Sequence, residues 1–82
     1  MKDDKLSFMY GKVLREIRKD LGIERQVVTE DCHIDLAKIE LGERLVRLDN
    51  LHCLCWYYKV NIADVVDRVA LLIRSQNRRI AN

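Results

Sequence analysis

The sequence predicts a small all-α domain of five helices, and three observations carry that prediction. The chain has no proline and only three glycines, Gly11, Gly22 and Gly42, whereas sheet proteins use both residues heavily in tight turns. Apolar side chains recur along it at intervals of three and four, the spacing of one helix face. Capping residues and glycines fall between those periodic stretches, where helices need starts and stops. At 82 residues there is room for one domain and not two. A content of 49% hydrophobic and 34% charged residues supports a core and argues against disorder.

The first helix is expected to start at Ser7, a good N-cap, and to carry Tyr10, Val13, Leu14, Ile17 and Leu21 on its inner face. Gly22 ends it. A short second helix runs from about Glu24 to Glu30, with Val27 and Val28 facing inward. Its valines are weak helix formers and Glu24 is a mediocre cap, so tertiary packing must hold this segment. The third helix runs from His33 or Asp35 to Leu41 on Leu36 and Ile39, and Gly42 closes it. Asp49 caps the fourth, which reaches Tyr58 with Leu51, Leu54, Cys55 and Tyr58 inside. Asn61 caps the fifth, and Asp64 lies near its positive end. Ile62, Val65, Val66, Val69, Leu72 and Ile73 follow at helical spacing toward Arg78.

Composition excludes several function classes. No run of roughly 18 apolar residues is present, so no segment is expected to span a membrane. Met1-Lys2-Asp3-Asp4-Lys5 leads into no long apolar stretch and does not read as a secretory signal. Three cysteines, an odd number, fit a reducing compartment better than a disulfide framework, so the expected location is the cytoplasm. No glycine-rich phosphate loop, nucleophile elbow or paired metal-ligand motif occurs, so neither an enzyme nor a cofactor is expected. His52-Cys53-Leu54-Cys55 invites a metal reading, but cysteines two apart on a helix point to nearly opposite sides and cannot share one ion. Cys55 is therefore read as structural. Trp56, Tyr57 and Tyr58 fan around the helix and make no flat stacking platform for single strands. Tyr58 is assigned to the core, and Trp56 or Tyr57 to a protein interface.

Four pieces of sequence now matter together. They are Leu14-Arg15-Glu16-Ile17-Arg18 with Leu21-Gly22-Ile23; Ile39-Glu40-Leu41-Gly42-Glu43-Arg44; Leu48-Asp49-Asn50-Leu51 with Leu54-Cys55; and Val60-Asn61-Ile62 with Val65. In order and spacing they resemble the Cro-like, phage-repressor type of helix-turn-helix family over about residues 11–66. Residues 67–79 are then a helical extension of a single domain spanning 1–82. The resemblance implies a compact repressor-like domain, a bacterial or phage-derived origin and a sequence-specific DNA-binding transcriptional regulator. In that family the start of the second motif helix touches base edges in the major groove, while most other contacts go to phosphates. By resemblance Arg25, with Gln26 beside it, holds phosphate. His33, Asp35 and Lys38 are the groove-facing candidates, and Arg44 and Arg47 reach phosphates beyond. Glu40 turns inward to pair with Arg15 or Arg18.

Two departures fall on the functional part. Between Gly22 and Gly42 the chain is about one helical turn, or about 3.6 residues, shorter than the family pattern. The gap lies between Thr29 and Leu36, where Glu30-Asp31-Cys32-His33-Ile34-Asp35 contains no glycine. From Glu24 to Arg44, three bases stand against six acids, a net −3, which opposes phosphate binding. The net charge of the whole chain, +2, is also modest for a nucleic-acid binder. These features open a second reading, a repressor-fold protein-interaction or assembly module of antitoxin-like or co-regulator type. The apolar face of the fifth helix is wider than so small a fold needs. Val69, Leu72 and Ile73 either form a homodimer contact, which would match two-fold operator half-sites, or fold back onto the first helix with Leu6, Phe8 and Met9; the homodimer is preferred. Arg74, Arg78 and Arg79 add a basic tail.

Overall fold

A computed structural model describes the backbone of residues 4–81 and the side chains of residues 6–76. Five helices follow in order: α1 (Asp4–Leu21), α2 (Arg25–Cys32), α3 (Leu36–Glu40), α4 (Leu48–Tyr58) and α5 (Ile62–Ala81). No strand occurs among the described residues, and the expected all-α class holds. Helix α1 is the hub, packing against α3, α4 and α5, while α2 rests on α3 and α4.

Ser7 does not cap α1. The helix begins a turn earlier, at Asp4, and the Ser7 hydroxyl donates instead to the Gly42 carbonyl at 2.8 Å. Val13, Leu14 and Ile17 are buried as expected, but Leu21 is 49% exposed because the last turn of α1 runs past the core. Ser7, Gly11, Leu14 and Arg18 are spaced four, three and four apart, so they line one face of α1. That face receives α3. A methyl group at Gly11 would lie 2.3 Å from the Ile39 carbonyl oxygen and 3.0 Å from that of Glu40. The two backbones are therefore in direct contact, a closeness that only the missing Cβ permits.

In α2, Val28 is fully buried while Val27 is 43% exposed. Adjacent helix positions differ by about 100° around the axis, so one of two neighbouring valines must turn outward. Leu36 and Ile39 of α3 are buried as expected. Beyond α3, Gly42 adopts φ +80° with its Cα against Phe8, and the Glu43 N–H donates back to the Lys38 carbonyl. Helix α4 starts one residue before the expected cap: Arg47 occupies the cap position, and Asp49 sits in the first turn, accepting from the Asn50 N–H at 2.8 Å. All four expected inner residues of α4 are buried. Asn61 caps α5 as expected, its Oδ1 accepting from the Ala63 N–H at 2.9 Å.

The apolar face of α5 divides. Val65 and Val69 are buried in the same core as Met9 and Val13, Leu72 packs against that core, and Val66 faces solvent at 42% exposure. Val69, at 2% exposure within a single chain, is not a surface a second copy can reach. The fold-back onto α1 accounts for it, whereas Phe8, 58% exposed, stays outside that packing and lies against Gly42. An ion pair at 3.0 Å between Arg68 and Glu16 ties α5 to α1. The side chains of Arg78 and Arg79 lie outside the described residues.

Candidate nucleic-acid interface

Only five residues long, α3 has too few internal hydrogen bonds to stand alone. It is held from behind by one side chain of α1. Arg18 donates through Nε and Nη2 to the two carboxylate oxygens of Glu40, at 2.7 and 3.0 Å, and through Nη1 to the Ile23 carbonyl at 2.8 Å. The forked guanidinium matches the planar carboxylate in a way an ammonium cannot. Its hydrogen bond to Glu40 raises the Arg18 pKa above the usual guanidinium value, outweighing the opposing effect of burial. Of the two partners expected for Glu40, Arg15 and Arg18, the fold selects Arg18; Arg15 is exposed.

Between α2 and α3 lie three residues, His33, Ile34 and Asp35. His33 takes the left-handed conformation at φ 57°, ψ 43° and donates its N–H to the Thr29 carbonyl at 2.9 Å. Histidine is among the few side chains that enter this region with some frequency. Ile34, 6% exposed, turns back into the core. The three-residue link thus makes a compact turn without glycine, and His33 has a backbone role there irrespective of any ligand.

All seven residues expected to meet DNA are solvent-exposed. Arg25 opens α2, whose first turn receives no side-chain cap from Glu24. Gln26, next to it, donates to Glu30 at 3.0 Å. At the start of α3 the Asp35 carboxylate, on the cap residue, and the Lys38 ammonium are brought to 4.0 Å, a loose ion pair with both groups about half exposed. Arg47 is engaged by Asp49 at 3.3 Å. Among the described residues Arg25 and Arg44 make no ion pair. Acidity of this segment is partly inward-facing: Glu40 is spent on Arg18, leaving three bases against five acids, a net −2, on the exposed part. Asp31 is also drawn away, accepting the Tyr57 hydroxyl of α4 at 2.6 Å.

That last contact, unforeseen from the sequence, pins the end of α2 to α4. Tyr57 meets Tyr58 edge to face at 5.9 Å and 67°, while Trp56 projects outward at 80% exposure, so the three rings do fan apart. Tyr58 is buried, and burial raises its phenol pKa. Hydrogen bonding to Asp31 raises that of Tyr57 to about 12. An elevated phenol pKa means that the folded state favours the neutral form. This contribution is whole below the ordinary value of 10.0 and lost as pH climbs toward about 12. Denaturant titrations across that window are expected to show a shallower alkaline decline for Tyr57→Phe than for the parent chain. Equal slopes would mean that the Asp31–Tyr57 bond does not persist in solution. Cys55 is buried, as read from the sequence, while Cys53 is exposed and Cys32 half-buried. Among the described residues no three His, Cys, Asp or Glu side chains converge on a metal position, and no helix is long and apolar enough to cross a membrane.

Compared with known proteins, the chain matches no protein-family model, no curated protein and no solved structure.

Proposed function

We propose that this chain is a sequence-specific DNA-binding transcriptional regulator of the Cro-like helix-turn-helix type, presenting α3 to the major groove. One observation carries the reading: α3 is clamped to α1 by the Arg18–Glu40 pair, so Asp35, on its cap, and Lys38, within it, stand outward at fixed positions on a short helix. A buried, forked ion pair that orients so short a helix is what base reading requires, because groove contacts need fixed geometry while phosphate contacts supply most affinity. Arg25, with no competing carboxylate, and the uncapped first turn of α2 favour a phosphate there. Arg44 and Arg47 extend the same basic set beyond α3. The preferred oligomer is a two-fold dimer. Of the residues assigned to it, Ile73, 36% exposed, and the partly buried Leu72 remain within reach of a second copy.

Fluorescence anisotropy with random duplex DNA at several salt concentrations tests this. Affinity should fall steeply with salt. Arg25→Ala, which removes a phosphate contact, should lessen the log–log slope by about 1, and Lys38→Ala should weaken binding, both with the helical circular-dichroism signal intact. Unchanged affinity in both variants would rule out this docking mode. The net −2 of the exposed segment favours the second reading, a protein-interaction module. Absence of binding even at low salt would establish that reading over the first.

A further inference from the structure

Cys53 and Tyr57 are four residues apart on α4 and therefore share one face. Asp31 and Cys32 are adjacent in the last turn of α2. The Tyr57–Asp31 hydrogen bond at 2.6 Å brings these two pieces together, with α2 and α4 in contact. Cys53 then falls beside Cys32, and the two side chains interact across the helix pair. Their accessibility is unequal: Cys53 is exposed and Cys32 half-buried. Cys55, two residues further on, is buried on the other side of α4.

We infer that Cys32 and Cys53 are a peroxide-oxidisable pair that closes into a reversible disulfide between α2 and α4. Cys53, open to solvent, reacts first. Its thiolate sulfur attacks one peroxide oxygen, the S–O bond forms as the O–O bond breaks, and the departing hydroxide takes a proton to become water. Cys53 is now a sulfenic acid. Cys32 then attacks the Cys53 sulfur. The S–S bond forms, the S–O bond breaks, and the leaving hydroxide combines with the Cys32 proton as a second water. Two thiols are oxidised and one peroxide is reduced. The order of events agrees with the environment of Cys32, whose thiol is pushed up to about 11 by burial first and then by Cys53 and Asp31. A thiol held in its neutral form is a poor nucleophile toward peroxide, so Cys53 reacts first, and Cys32 must give up its proton to attack the sulfenic sulfur. The ring so closed runs from Cys32 to Cys53 and encloses the turn, all of α3 and the residues from His33 to Arg47 proposed to face DNA. The pairing of the thiols holds whether or not the chain binds DNA.

Treating the full chain with hydrogen peroxide, then denaturing it and labelling with a maleimide, tests the assignment. The treated chain should lose two hydrogens and take up one label, against three for the reduced chain, with peptides containing Cys32 and Cys53 joined. Dithiothreitol should restore all three labels. The oxidised chain should also unfold at a higher denaturant concentration than the reduced one, because the link restricts the unfolded chain. Cys53→Ser, at an exposed position, should keep the helical signal and take up two labels before and after peroxide. Links between two chains, a Cys53–Cys55 link, or sulfinic acid on Cys53 without any link would each overturn the inference.

Discussion

Arg18→Ala is expected to destabilise the fold by about 3–5 kcal/mol, the range for removing one partner of a buried ion pair. Its reason lies in what remains. The Glu40 carboxylate, with only 1% of its side chain exposed, would be left buried with no donor for either oxygen. The Ile23 carbonyl would lose its Arg18 donor as well. A small domain has roughly 5–15 kcal/mol of stability in all, so thermal and urea unfolding should register the change as a large fall in midpoint. Two companions separate charge from shape. Arg18→Lys keeps the charge but loses the fork, and should retain only part of the stability. Combining Arg18→Met with Glu40→Leu removes both charges and should recover much of the loss, since apolar replacements of a buried pair are often neutral or better. A fall of under about 1 kcal/mol for Arg18→Ala, the value of a solvent-exposed pair, would show that the pair is open to water and does not clamp α3.

Gly11→Ala is expected to destabilise by about 3 kcal/mol, the upper part of the range for overpacking. Helix propensity predicts the opposite sign, because alanine is favoured over glycine in a helix interior by about 1 kcal/mol. The structure decides between them. The added methyl carbon would lie 2.3 Å from the Ile39 carbonyl oxygen, inside any van der Waals contact, and the atom it meets belongs to backbone that cannot rotate away. To make room, α3 must withdraw from α1. That movement would strain the Ser7–Gly42 hydrogen bond on one side of Gly11 and the Arg18–Glu40 pair on the other. Urea unfolding monitored by circular dichroism measures the sign directly. A stabilised Gly11→Ala variant would mean that α1 and α3 stand further apart than described.

Much of the fold was legible in the sequence because most of its signals are local. Glycines at 22 and 42 follow the last periodic residues of α1 and α3, and both have positive φ. Asn61 precedes α5 and caps it, and the four inner residues of α4 are those the spacing names. Errors of element placement have equally local causes. Ser7 is a good cap by type, but a hydroxyl can serve a distant carbonyl as well as its own helix, and it serves Gly42. Val27 and Val28 are equally apolar, and only the position of the core relative to α2 distinguishes them.

The candidate interface was less legible. Its exposed residues could be named, because charged side chains on a short amphipathic segment face solvent by default. Their partners could not. Asp31 to Tyr57, Arg18 in place of Arg15, and Cys32 beside Cys53 are relations between segments far apart in the chain. Gly11 carried a signal, a glycine inside an otherwise periodic helix, which marks a close approach as readily as a weak point.

By itself, the sequence determined the helical class, the number of helices, their boundaries to within about a turn and the greater part of the core, since periodicity and capping act within a few residues. Tertiary structure alone decided which face of α1 receives α3, that Val69 belongs to the chain's own core, and that Glu40 pairs with Arg18 and not with Arg15. Each depends on distances between helices, and those are set by the close packing of the whole core at once.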